Sequence, residues 1–274
     1  MGVVVLLATR ALPDVGGTAR RLDLVSVSLN AGAFASLVMG AELLPTRPAL
    51  AIVLLAVAPL ALLVLVRREM PKEAPLIPLD LLRTDSFRFS VLASACCFAG
   101  QTASMVVLPF YLQHRLGQDT LMAGLYMTAW PLTVAIAAPF AGWLADRVST
   151  AWLSAAGGWC LATGLGAAAL WPLKGAPLLL VPLTMLCGRG FGLFNVANNR
   201  NMFLSAPNER SAAAGGMQGT ARLFGQTAGA VIMTLLFTLT PADAAPQTGL
   251  GIGAVLTFVA GLVSTLRVSP MSSC

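Results

Sequence analysis

Residues 48–66, PALAIVLLAVAPLALLVLV, decide the fold. The stretch holds no charged or hydrogen-bonding side chain, and Arg67 and Arg68 follow it at once. A bilayer hydrocarbon core of about 30 Å is crossed by about 20 helical residues, so this segment has membrane length. The same pattern repeats on both sides of it. Mostly apolar runs lie near 24–41, 87–112, 121–145, 151–172, 176–199, 216–240 and 249–268, separated by short charged or Pro/Gly-rich joints. In lipid a helix satisfies its backbone polar groups internally. The chain is therefore predicted to be all-α, a polytopic transmembrane helical bundle of about eight membrane spans whose principal partner is the lipid bilayer.

Composition agrees. The 274 residues are 57% hydrophobic and 10% charged, against about 25% charged for ordinary soluble domains. The net charge of +6 comes from basic residues in the joints rather than from one patch, and no aromatics interleave them. That excludes a nucleic-acid partner. The N-terminus lacks the basic segment and apolar length of a secretory signal. Four of the five cysteines (Cys96, Cys97, Cys160, Cys187) lie in apolar runs, where Cys acts as a small hydrophobe, and none has metal-ligand spacing. His114 is the single histidine. With no polar catalytic cluster at either membrane interface, an enzyme such as a membrane hydrolase or lipid-modifying protein is not expected, and no cofactor is implied.

Arg and Lys set the expected orientation. Arg10, Arg20, Arg21, Arg67, Arg68, Lys72, Arg83, Arg88, Arg147, Arg200, Arg210, Arg222 and Arg267 fall on one side; only Arg47, Arg115 and Lys174 fall on the other. The positive-inside rule puts the rich side in the cytoplasm. An even number of spans then places both termini there, in a cell membrane. Residues 67–86 form the longest joint, read as a solvated cytoplasmic loop or as an interfacial segment with Leu76, Ile77, Leu79, Leu81 and Leu82 in the headgroups.

Residues 107–150, VLPFYLQHRLGQDTLMAGLYMTAWPLTVAIAAPFAGWLADRVST, carry a resemblance. Pro109, Tyr111 and Gln113 close one helix. Gly117 and Ala123-Gly124 open the next, and Pro139 precedes Gly142-x-Leu144-Ala145-Asp146-Arg147. This last string resembles the G-x-L-a-D-r joint between the second and third helices of a half in the major facilitator superfamily. The chain is most similar to the fourteen-helix drug:proton antiporters. It departs from the pattern at Val148-Ser149-Thr150, where the family has Gly and basic residues. The resemblance implies that residues 1–66 hold the end of a preceding helix plus two linker helices. It makes 67–86 a cytoplasmic loop, 87–268 the six-helix C-terminal half and 269–274 a cytoplasmic tail. It also implies a missing N-terminal half, which would bring the membrane carboxylates expected to carry protons. Gly142, Asp146 and Arg147 are implied to form a conformational latch, or else an ordinary cytoplasmic turn.

Inside the spans the chemistry is sparse. No Asp or Glu lies well within one; Glu42 and Asp243 sit at the outer edges and Asp146 at the inner. Arg189, among Gly188, Gly190 and Gly192, is the one clearly intramembrane charge, and such a charge must face protein or water or snorkel to the headgroups. Asn195 and Asn199 share a face of the same helix, either bonding between helices or lining a polar cavity. Gln218, Arg222 and Gln226 recur every four residues beside Gly215, Gly219, Gly225 and Gly229, so one helix face is small and polar, for packing or for a cavity. Gln101 and Met105 share a face at i, i+4. In the superfamily the first and fourth helices of each half line the pathway. That implies Gln101, Met105, Arg189 and Asn195 as substrate-contacting residues. The resulting expectation is a portion of a multidrug efflux transporter. It would exchange protons for hydrophobic or cationic small molecules by rocking two bundles about a midplane site. The alternative is a non-transporting membrane fragment or an assembly partner.

Overall fold

A computed structural model describes residues 23–44, 46–69, 81–170, 177–207, 210–241 and 244–267. Among them the regular structure is entirely helical. The eight α-helices are α1 (Leu24–Leu43), α2 (Pro48–Glu69), α3 (Asp85–Phe110), α4 (Thr120–Ala145), α5 (Thr150–Leu170), α6 (Leu180–Leu204), α7 (Ser211–Leu239) and α8 (Ala245–Thr265). Seven are long and apolar enough to cross a membrane, while the apolar part of α1 is shorter, Leu24–Gly40. The chain is a polytopic helical bundle and a multi-pass membrane protein. Residues 1–12, Lys174, Asp243 and the 269–274 tail lie outside the described residues, as do Leu76, Ile77 and Leu79.

Local chemistry sets several helix ends. Asp23 caps α1, its carboxylate accepting from the N–H groups of Val25 (3.1 Å) and Ser26 (3.3 Å). Asp119 caps α4 by accepting from the Met122 N–H at 2.7 Å. A π-helical turn, Tyr111–Arg115, continues α3, and Gly117 (φ +65°) supplies the left-handed residue that turns the chain back. Two ends differ from the expected bounds. α6 runs on to Leu204 because Asn198, Asn199 and Asn201 find partners inside the bundle, so their polarity does not end it. α7 begins at Ser211, which sets Arg222 about three turns into a membrane-crossing helix. Arg189 is therefore not the one intramembrane charge: Arg222 is a second.

Helices α3–α8 pack as a row in the order α4, α6, α5, α8, α3, α7, and α3 also meets α6 across the middle. Glycines allow these approaches. A Cβ on Gly157 of α5 would lie 2.5 Å from the backbone nitrogen of Phe194 in α6, and one on Gly100 of α3 would lie 2.7 Å from the carbonyl of Gly253 in α8. In lipid, where apolar burial gives helices little reason to associate, such close backbone contact is a main attraction. The core between them holds Leu108, Tyr126, Trp130, Leu161, Leu165 and Phe194. α1 and α2 form an antiparallel pair, closed by Arg68 against Asp23 at 3.5 Å, and α1 leans on α7. At the end of the bundle carrying Arg88, Arg200 and Arg267, the basic end, Leu65 of α2 packs with Leu81, Phe87, Met202 and Met217. Leu81 is thus buried in protein, where the interfacial reading had it in headgroups.

Candidate functional site

The six helices form one row. α4 and α7 stand at its two ends, and α3 and α6 form the floor between them. Phe98 of α3 is buried, 3% exposed, at the centre of the cleft where α3, α6 and α7 meet. Its ring meets Phe191 of α6 edge-on, with centroids 5.6 Å apart and planes at 82°. The Arg222 guanidinium of α7 lies over the same ring, 5.5 Å from its centroid. One aromatic side chain therefore ties three helices together through contacts each worth about 1 kcal/mol.

Helix geometry places further residues on this floor. Met105 is about 20° from Phe98 around α3 and Gln101 about 60° toward α6; Asn195 is about 40° from Phe191 around α6. By this geometry Gln101 and Met105 fall near Phe98 around α3 and Asn195 near Phe191 around α6, while Arg222 reaches the Phe98 ring from α7. Thr102 donates to the Gln101 side-chain oxygen at 3.5 Å, and Asn199 donates to Asn195 Oδ1 at 3.1 Å.

Arg189 is elsewhere. Around α6, Gly188 and Gly192 face α4, Gly190 faces α5 and Phe191 faces α3. Arg189 falls on the remaining side, turned from α3. It lines an apolar groove of about 350 Å³ between α4 and α6, with Thr133, Ile136, Phe140, Met185 and Leu193.

The polar face of α7 divides. Gly225 and Gly229 seat α7 on α3: a Cβ on Gly229 would lie 2.3 Å from the Ala99 carbonyl, and one on Gly225 would lie 2.5 Å from that of Ala95. Arg222 turns to the cleft. Gln226 turns to a groove beside α1. Gln218 is half-buried toward the basic end, where Gly219 has open space around it.

At the basic end Asp146 follows the last residue of α4 and is ion-paired with Arg200 of α6, 54 residues away. Arg147 does not share this pair; its guanidinium lies 3.9 Å from the centroid of the Trp143 ring. A Cβ on Gly142 would meet nothing within 4 Å, so this end of α4 is open to an incoming surface. Behind the ion pair, Asn201 donates to the hydroxyls of Ser90 (2.8 Å) and Ser86 (3.0 Å) and accepts from Thr150 (3.1 Å). Asn198 donates to the Ser90 carbonyl at 3.2 Å. This network joins α3, α5 and α6. Its partners lie far apart in sequence, and no local pattern in the chain marks them. Phe98 and Phe191 were likewise hidden among many apolar residues.

Six packed helices of membrane length, joined at one end by an ion pair between helices, make a polytopic membrane bundle. The chain belongs to the Major Facilitator Superfamily, whose sequence profile matches residues 90–272. It is 38% identical over 271 residues to the uncharacterized transporter YebQ of Escherichia coli (strain K12), covering 97% of this chain and 59% of that protein. It is 29% identical over 160 residues to the riboflavin transporter RibZ of Clostridioides difficile (strain 630), covering 58% of this chain and 35% of that protein. The chain thus spans 59% or less of the length of these curated relatives. Both of these relatives are named as transporters.

Proposed function

We propose that this chain is the C-terminal portion of a proton-coupled exporter of hydrophobic and lipophilic cationic compounds, working in the cell membrane with both termini in the cytoplasm. The junction of Phe98, Phe191 and Arg222 carries the reading: it is an aromatic cluster joining three helices, with the amides of Gln101 and Asn195 on two of the same helices, and a second six-helix bundle would stand against it. Substrate would lie between the two bundles, its rings against Phe98 and Phe191 and its polar groups on Gln101 and Asn195. The Asp146–Arg200 pair would make and break as the bundles rock, and the open space at Gly142 would admit the partner bundle. The described part of the cleft includes no carboxylate. In this reading the second bundle supplies the groups that carry protons and neutralise cations. The chain alone would then give no proton-coupled efflux. Drug-dependent proton movement in vesicles holding only this chain would overturn that. An in-frame upstream region encoding six more spans would supply the missing bundle.

A second reading has its own support. A cation over one ring and a second ring edge-on to it also suit a flat heteroaromatic substrate, and one relative is a riboflavin transporter. Transport of riboflavin and ethidium by the completed carrier, with and without an uncoupler, separates the two. Uncoupler-sensitive ethidium efflux supports the first; ethidium-insensitive riboflavin movement supports the second.

A further inference from the structure

The described carboxylates are nearly all engaged. Asp23 and Asp119 cap helices, Asp85 pairs with Arg88 at 2.8 Å, and Asp146 pairs with Arg200. Glu42, in the last turn of α1, is the exception, with no hydrogen bond or ion pair among the described residues. It lines a groove of about 320 Å³ between α1 and α7, opposite Gln226, Thr227 and Thr234, with Val38, Ala230 and Val231 making the apolar walls. Thr227 and Thr234 donate their hydroxyl protons to carbonyls of their own helix, Leu223 (2.9 Å) and Ala230 (3.1 Å). Their oxygens can therefore only accept from anything in the groove. The groove thus offers a free negative charge and two accepting hydroxyls on an otherwise greasy surface, and no basic side chain lines it.

We infer that the α1–α7 groove is a second binding site, for a lipophilic organic cation, with Glu42 as its counter-charge and Val38 and Val231 against the apolar body. The site is distinct from the Phe98 cleft, lies where α1 of the outer helix pair meets α7 of the six-helix block, and stands whether or not the cleft transports. A carboxylate beside apolar walls suits a poorly hydrated cation: Val38 and Val231 take its apolar body out of water while Glu42 supplies the opposite charge.

The test is equilibrium binding of radiolabelled tetraphenylphosphonium to the purified chain in nanodiscs, with tetraphenylborate as the anionic counterpart of the same shape. Glu42→Gln should weaken phosphonium binding about tenfold or more, the loss of one charge-assisted contact. Glu42→Asp should restore part of it, and Ala230→Trp, which fills the groove, should abolish it. The same comparison in a Phe98→Ala background removes any contribution of the cleft. Size-exclusion profiles matching wild type confirm folding, and since Glu42 is exposed the isosteric Gln variant decides even where the Trp variant does not fold. Undiminished phosphonium binding by Glu42→Gln, or tetraphenylborate binding with the same dependence on position 42, overturns the site. Absence of efflux by the completed carrier with Glu42-dependent binding intact would remove the transport reading and leave this one standing.

Discussion

Arg200, near the C-terminal end of α6, holds the carboxylate of Asp146, the residue just past the end of α4. The side chains are 38% and 62% exposed, so water screens the pair and its contribution to stability is small. Weak and reversible is what a moving part requires. Asp146→Asn should shift thermal stability by less than about 1 kcal/mol yet cut transport by the completed carrier. The charge-swapped double variant, Asp146→Arg with Arg200→Asp, should recover transport. A large stability loss with no transport effect would make the pair a structural tie.

The network behind it behaves oppositely. Asn201 bonds groups on α3 and α5 at once; its loss takes the acceptor from Thr150 and the amide donor from Ser86 and Ser90, whose hydroxyls keep only their bonds with Ser205 and the Ser86 carbonyl. Asn201→Ala should destabilise the chain in detergent by about 2 kcal/mol, measured as a fall in melting temperature. Asn195→Ala, whose one side-chain bond is to its helix neighbour Asn199, should cost well under that while lowering substrate affinity.

Two glycines on α7 form an internal control. Gly229→Ala places a Cβ against the Ala99 carbonyl and should cost about 1–3 kcal/mol by forcing α7 off α3. Gly219→Ala meets nothing within 4 Å and should be neutral or stabilising by up to about 1 kcal/mol through helix propensity. Thermal unfolding of the two variants side by side checks both.

Arg222 and Phe98 share one contact across the cleft. Arg222→Met should lose about 1 kcal/mol of coupling with Phe98, read from a double-mutant cycle with Phe98→Leu. Additive effects would mean that the cation and ring do not interact.

Arg267, just past α8, is buried; among the described residues only its Nη2 is bonded, to Ser264 at 2.6 Å, and Nε and Nη1 have no hydrogen-bond partner. Burial lowers its pKa to about 10. A base whose folded pKa is depressed destabilises the fold while protonated, and the penalty fades as pH rises through the folded pKa. Between about pH 10 and its ordinary value the unfolded chain binds more protons, so stability should rise with pH in that window. Arg267→Met should remove this slope and leave stability at pH 7 unchanged or higher by about 1 kcal/mol. A lower melting temperature for the variant would show that the buried charge has a favourable partner.

The amino-acid order alone determined that the chain is an all-α membrane bundle and where its spans fall to within a few residues, because twenty apolar residues in a row such as 48–66 have one stable home and one backbone conformation there. It also marked the Asp146 joint and the small polar face of α7, since both are read within one or two helical turns. Tertiary structure decided which of these residues meet. Packing order set Arg222 of α7 and Phe191 of α6 against Phe98 of α3, turned Arg189 to a groove beside α4, and gave Asp146 to Arg200 rather than to its neighbour Arg147. Those outcomes depend on helix rotation and on contacts between residues dozens of positions apart. Hydropathy specifies that a helix crosses lipid, and leaves which way each side of it faces to the close glycine and amide contacts made only after the helices assemble.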